Sequence, residues 1–169
     1  ERLSLECKVF RVPAPARLPA GDARLKFEIA MGFKTILVPT EQHDLMNSTL
    51  ETALLLGRTF DSYIEGFALR VSVSATFAIS EAGAVPIPAL EQELAETEKR
   101  SRSLFENFMQ KNGVPRGGDT KAVSSDWFEN APGGDQFVGT HGRVFDVIVL
   151  SKPGRDSTGP RMNTLEAGL

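Results

Sequence analysis

The chain has 169 residues, of which 41% are hydrophobic and 24% charged, and its formal net charge is −3. This length suits one domain with a single core, and the apolar content is too high for a disordered chain. The weak negative charge argues against nucleic acid as a partner. No apolar run approaches the roughly 20 residues that span a bilayer, so no membrane partner is expected. With one cysteine, Cys7, and two histidines, we expect no disulfide framework, no metal site and a cytoplasmic location.

Residues 1–30 differ in composition from the rest of the chain. They contain the single cysteine and three prolines, and they carry a net charge of +2, which leaves −5 for residues 31–169. Met31 then opens a run that leads directly into a predicted strand. We predict that residues 1–30 are a flexible or artefactual N-terminal extension. The alternative is a genuine additional strand or arm packed on the domain.

The rest of the chain alternates strands and helices. Thr35–Val38 is a short apolar and β-branched run, which is typical of a strand buried on both faces. A helix is predicted at about Ser48–Phe60, where the first serine forms a capping box with Glu51. Tyr63–Leu69 predicts a second strand. Residues 71–87 are small, apolar and contain glycine, and we predict a loop there.

One long helix dominates the second half of the pattern. Pro88–Asn112 carries an apolar stripe at helical spacing and ends at Asn112-Gly113, a helix stop signal. Thr120–Ser124 predicts a third strand, and Asp146–Leu150 predicts a fourth strand that is buried and parallel. Glu129–Arg143, which lies between them, is too rich in glycine to predict a helix. Helical crossovers between buried strands indicate a parallel α/β sheet.

No catalytic constellation is identifiable. Gly134 and Gly139 have the spacing of a P-loop, but Thr140 and His141 stand where its lysine and hydroxyl must follow. His141 has no paired nucleophile or carboxylate in the sequence, which favours a surface-loop histidine over an acid–base group. We therefore expect no catalytic residue and a protein that is not an enzyme, with a weak ATPase as the alternative.

Two segments resemble the universal stress protein family. The run from Met31 is Met-Gly-Phe-Lys-Thr-Ile-Leu-Val-Pro, and the run from Phe145 is Phe-Asp-Val-Ile-Val-Leu-Ser-Lys-Pro-Gly. The predicted first helix between them carries Ala-Leu-Leu-Leu-Gly, and the chain is similar to the first half of the tandem form of the family. The resemblance implies a three-layer α/β/α fold, with a five-stranded parallel sheet in the order 3-2-1-4-5. It also implies a cytoplasmic stress-response protein whose partner is a second copy, or a second domain of the same family.

The resemblance further implies where a nucleotide would bind. Members that bind ATP carry an acidic residue just after the first strand and a Gly-x-x-Gly, nine residues, Gly-Ser/Thr motif after the fourth. Both lie at the carboxyl ends of neighbouring strands, and the glycines let backbone N–H groups approach the phosphates. Here Thr40 takes the acidic position, with Glu41 one residue further on. Ser151 replaces the first glycine, Gly154 matches the second and Thr164 replaces the third.

Two interpretations of this incomplete motif stay open. In the first, Ser151, Gly154 and the cations Lys152 and Arg155 hold a phosphate in a remodelled pocket. In the second, which we favour, the loop only solvates the top of the sheet. The candidate nucleotide-binding residues are Pro39, Thr40, Glu41, Ser151, Lys152, Gly154 and Arg155. We predict a non-catalytic stress-response module without a cofactor that acts through dimerisation or partner contacts; the alternative is an adenine-nucleotide-binding protein or a nucleotide-hydrolysing switch on the same fold.

The last expectation concerns the strand that should follow the fourth. After Asp146–Leu150 the chain has a polar loop, and Thr164–Leu169 looks like the first turn of a helix. In the family fold that helix leads to a fifth parallel strand, without which Asp146–Leu150 would be an uncovered apolar edge. We therefore expect the fifth strand to be missing from this chain, and the domain of residues 31–169 to be incomplete at its C-terminus.

Overall fold

The computed structural model describes residues 8–11, 32–70, 87–117, 122–152 and 162–169. Residues 71–86 of the loop predicted at 71–87 lie outside the described residues, as do the candidate site residues Gly154 and Arg155, whereas Ile87 begins a helix. The elements in chain order are β1 (Lys8–Arg11), β2 (Thr35–Thr40), α1 (Met46–Phe60), β3 (Tyr63–Ala68), α2 (Ile87–Lys111), β4 (Ser124–Phe128), α3 (Gln136–Gly142), β5 (Val147–Leu150) and α4 (Met162–Ala167).

Four of the strands form a parallel sheet. β2 lies at its centre, with β3 on one side and β5 on the other, and β4 pairs with the far edge of β3. Counted in chain order among themselves, these four strands lie in the order 3-2-1-4. One core cluster joins α1 and α2 to one face of the sheet, and a second joins α3 and α4 to the other face. The predicted three-layer α/β/α class is confirmed.

A fifth strand is present, but it comes from the N-terminal segment and runs antiparallel. β1 pairs with the outer edge of β5, with Lys8 opposite Leu150 and Arg11 opposite Val147. The expectation of an uncovered β5 edge is therefore wrong, because β1 provides hydrogen-bonding partners for that edge. The fifth parallel strand of the order 3-2-1-4-5 is not among the described residues. For the residues of 1–30 outside β1, a flexible or artefactual extension stays a prediction.

Helix α1 begins earlier than the sequence pattern predicts. It starts at Met46, its N-cap is Leu45, and no side chain caps it, so the capping box of Ser48 and Glu51 is wrong. Met46 is only 1% exposed and belongs to the core cluster beneath α1. Burial of this side chain extends the helix by part of a turn beyond the local capping signal.

Two predictions in the second half of the chain are also corrected. The third parallel strand is Ser124–Phe128 and not Thr120–Ser124, because Ser124–Phe128 pairs with β3 and buries the Trp127 side chain in the core. The glycine-rich segment contains α3, where Gly139 and Gly142 are points of close approach. A Cβ atom at Gly139 would lie 2.4 Å from the Ala167 carbonyl oxygen, and one at Gly142 would lie 2.3 Å from the Ile148 side chain. Glycine is needed here for packing and does not mark a loop.

Candidate functional site

The described candidate residues follow the carboxyl ends of the neighbouring strands β2 and β5, and those of β2 already form contacts within the sheet. Pro39 and Thr40 are the last two residues of β2, and Thr40 is fully buried. The Thr40 hydroxyl donates to the Val38 carbonyl oxygen at 3.1 Å, and the Thr40 carbonyl accepts from the Leu69 N–H at 3.1 Å. Thr40 therefore belongs to the packed sheet and presents no acidic group to a ligand.

Ser151, which replaces the first glycine of the motif, also forms a contact inside the protein. Ser151 directly follows β5, is 8% exposed, and its hydroxyl contacts the Thr49 hydroxyl of α1. This contact between two buried hydroxyls ties α1 to the end of β5 and satisfies groups that would otherwise be costly to bury. The next residue, Lys152, is exposed.

Thr164 occupies a central position above the sheet. It is 5% exposed, and its hydroxyl lies 2.8 Å from Asp135 Oδ1 and 3.5 Å from Glu41 Oε1. A hydroxyl has one hydrogen to donate, so the two carboxylates share one donor. The residue that replaces the third glycine thus joins α4 to two loops, the one that follows β2 and the one that precedes α3.

A buried histidine lies next to this arrangement. The His43 side chain is 5% exposed, and its Nε2 lies 3.9 Å from Glu41 Oε2. Its Nδ1 is buried without a hydrogen-bond partner. Burial lowers the pKa of His43, and the opposing effect of the Glu41 and Asp44 charges is smaller. The ring is therefore held in its neutral form near neutral pH, and the sequence analysis did not single it out.

The two loops beside Thr164 carry several carboxylates. Glu41, Asp44 and Asp135 are carboxylates on the two loops beside Thr164, and Lys152 is the cation among the candidate residues that the structure describes. Negative side chains repel a negative ligand in a partly dehydrated site. Within the described part of the chain, no group of three His, Cys, Asp or Glu side chains could hold a metal ion. No helix in those same ranges is long and apolar enough to cross a membrane.

A second polar cluster, on the α3 face of the sheet, was missed by sequence reasoning. His141 Nε2 lies 2.7 Å from Glu65 Oε1, and the Tyr63 hydroxyl donates to Glu65 Oε2 at 3.0 Å. The His141 ring stacks on Phe137, with centroids 4.8 Å apart and planes at 12°. Three further rings surround it, those of Phe67, Phe128 and Phe145. The interpretation of His141 as a surface-loop histidine is therefore wrong.

The sequence indicates that Tyr63 and Glu65 lie together, but it gives no indication that His141 joins them. Tyr63 and Glu65 are two residues apart on a strand and so face the same side of the sheet. His141 lies 76 residues after Glu65, and only the packing of α3 brings it there. Burial, followed by the neighbouring Glu65 charge, raises the pKa of Tyr63. The cluster ties α3 to β3 through polar contacts inside an aromatic layer.

Comparison with known proteins finds similarity among solved structures. No family model matches the chain, and no curated protein matches it. Among solved structures, the chain is similar to the universal stress protein UspA from Lactobacillus plantarum, with 15% sequence identity. The match covers 80% of this chain and 90% of that chain, with a TM-score of 0.48. A similarity at this level assigns neither a family nor an activity.

Proposed function

We propose that this chain is a universal stress protein-like stress-response module of the cytoplasm. In this proposal it is non-catalytic and acts through dimerisation or contacts with partner proteins, and its nucleotide pocket no longer functions. The two strand motifs at Met31 and Phe145 support the family assignment. The position of Thr164 between the carboxylates of Glu41 and Asp135 is the observation that carries the loss of nucleotide binding.

Thr164 and its two carboxylate neighbours oppose a phosphate both sterically and electrostatically. In the nucleotide-binding pattern, this position holds a glycine so that backbone N–H groups can approach phosphate oxygens. Thr164 has a side chain there, and that side chain is buried against the two carboxylates. A phosphate oxygen about 4 Å from one of them would be repelled by about 4 kcal/mol at an effective dielectric constant of about 20. This repulsion works against the binding energy of a triphosphate.

The alternative function is the binding of an adenine nucleotide, with or without slow hydrolysis. It rests on Lys152, which directly follows the buried Ser151 at the carboxyl end of β5, and on the predicted contribution of Gly154 and Arg155. A cation beside a glycine turn is a recurring way to hold a phosphate.

Thermal unfolding with ATP, ADP and AMP, each with and without Mg²⁺, separates the two functions. A ligand at about 100 times its Kd stabilises a protein by about 2.7 kcal/mol, which raises the Tm of a chain of this size by about 5–10 °C. We expect no such shift for any of the three nucleotides. A saturable shift with a micromolar midpoint that Lys152→Ala abolishes would refute the proposal. Lys99→Ala, on the exposed side of α2, is the matched control for the loss of a surface charge.

A further inference from the structure

One face of α1 points away from the sheet and carries a charged residue at each end of an apolar centre. Asn47, Glu51, Leu55 and Arg58 follow one another at spacings of four, four and three residues, so they share one side of the helix. All but Leu55 are polar, and all are exposed. Leu55 is 68% exposed, although the opposite side of α1 is buried in the core.

This face borders a groove between α1 and the last turn of α2. The groove has a volume of about 600 Å³ and is lined on the α2 side by Phe108, Lys111 and Asn112. Arg58 Nη2 donates to the Asn112 carbonyl oxygen at 2.7 Å, which holds the two helices together at one end of the groove. Neither Glu51 nor Lys111 forms an ion pair within the described part of the chain.

The charges on this face are complementary to themselves under a two-fold rotation. Glu51 and Arg58 are seven residues apart, which is about 10 Å along a helix, and the point midway between them lies between Leu54 and Leu55. If two α1 helices cross antiparallel at that point, each Glu51 faces the Arg58 of the other copy. Leu55 of each copy then lies at the centre, next to the groove of the other. A two-fold interface requires this reciprocity.

We propose that α1 is the self-association surface of this chain, through which two copies pair antiparallel about a two-fold axis between Leu54 and Leu55. The inference rests on the part of the proposed function that assigns the protein's action to dimerisation. It selects this face over the edge of β5, because β1 occupies that edge and would have to be displaced before a second copy could pair there. An exposed leucine between complementary charges has the pattern of a small interface, with an apolar centre and a polar rim.

Charge exchange tests the two-fold geometry directly. In Glu51→Arg, both residues of the pair are positive in each copy; in Arg58→Glu, both are negative. Sedimentation velocity over a concentration series should show each single variant with a dimer dissociation constant raised by roughly tenfold or more, because like charges meet twice in each dimer. The double variant restores opposite charges and should return to within about threefold of the unmodified chain. An equimolar mixture of the two single variants should form a heterodimer that is tighter than the homodimer of either variant, because opposite charges face each other only in the mixed pair.

The controls separate this inference from the proposed function. Arg100→Glu changes a charge that is 68% exposed on α2 and should leave the dissociation constant unchanged. Because Arg58 also contacts Asn112, urea unfolding must show that Arg58→Glu is folded; Leu55→Ser, at an exposed position, is the second variant and should also weaken the dimer. If the chain dimerises but no α1 variant changes the constant, the inference fails while the dimerisation of the proposed function stands. If the unmodified chain stays a monomer throughout the series, this inference and the dimerisation both fail, and only the partner contacts of the proposed function stand.

Discussion

Substitution of Gly66 by alanine should destabilise the protein through one identifiable contact. Gly66 lies in β3 beneath α2, and a Cβ atom there would lie 2.6 Å from two carbon atoms of the Phe105 ring. Phe105 is 1% exposed and packs against Trp127 with ring centroids 5.5 Å apart. Since favourable carbon–carbon contacts begin at about 3.5 Å, the ring must move by about 1 Å within a filled core.

The expected magnitude follows from two opposing contributions. Overpacking a core typically costs about 1–3 kcal/mol, and replacing a glycine by alanine recovers about 0.4–1 kcal/mol by restricting the unfolded chain. We expect Gly66→Ala to lower the free energy of unfolding by about 1–2 kcal/mol, with a fall in Tm of about 2–8 °C. Phe105→Leu alone should cost about 1–2 kcal/mol through the cavity that it leaves.

A double-mutant cycle measured by urea unfolding then isolates the contact. Leucine at position 105 leaves room for the new methyl group, so the double variant should be more stable than the sum of the single effects by about 1 kcal/mol. Gly32→Ala is the matched control, because its Cβ would be 3.5 Å from Lys34 Cε, an ordinary contact. Strict additivity of the two substitutions, or a Gly66→Ala variant as stable as the control, would refute the packing between α2 and β3 described above.

Three further predictions concern the polar groups. Because burial lowers the pKa of His43, the unfolded chain binds the proton more tightly. The stability that depends on neutral His43 is therefore complete above the ordinary imidazole pKa of about 6.5 and is lost as the pH falls below it; His43→Gln should flatten this part of the curve of unfolding free energy against pH. Glu65→Gln should lower the pKa of Tyr63, the single tyrosine of the chain, in a titration of ultraviolet absorbance. Asp126 Oδ1 accepts from the Trp127 N–H at 2.9 Å, at the outer edge of the sheet, so Asp126→Ala should expose that donor and increase light scattering by aggregates.

Each of these predictions has a contradicting result. If the unfolding free energy of His43→Gln falls with decreasing pH as steeply as that of the unmodified chain, another group causes this fall. An unchanged absorbance titration in Glu65→Gln would mean that the carboxylate does not act on Tyr63. For the edge strand, Glu129→Ala is the control. Asp126 pairs with Arg116 at 2.8 Å and Glu129 pairs with Arg102 at 2.6 Å, so each variant loses one ion pair, but among the described residues Glu129 accepts from no strand N–H. Equal aggregation of the two variants would contradict the role of Asp126.

The places of Thr40 and Ser151 at the ends of two strands were predictable from the sequence, but their contacts were not. The motifs placed Thr40 and Ser151 at the carboxyl ends of two strands, and the strands are neighbours in the sheet. Nothing in the motifs indicated that the Thr40 hydroxyl bonds within its own strand, or that Thr164 contacts Asp135. These contacts depend on where α4 packs, which is a property of the assembled layers.

The sequence by itself determined the parallel strands at the centre of the sheet and the long helix α2. A short, apolar, β-branched run favours a buried strand because branched side chains pack well on a pleated surface. The 25-residue helix α2 has enough turns for its apolar stripe to be unambiguous. Both patterns depend only on residues close together in the sequence, so they predict structure without knowledge of the fold.

Only the tertiary structure decided the elements whose stability comes from their neighbours. α3 is a short helix with two glycines, and it exists because those glycines let it approach α4 and β5. His141 meets Glu65 across 76 residues, and β1 is a strand because the apolar edge of β5 lies open to receive it. In each case the free energy comes from a surface that forms only when the rest of the sheet is in place, and no local pattern in the sequence encodes that surface.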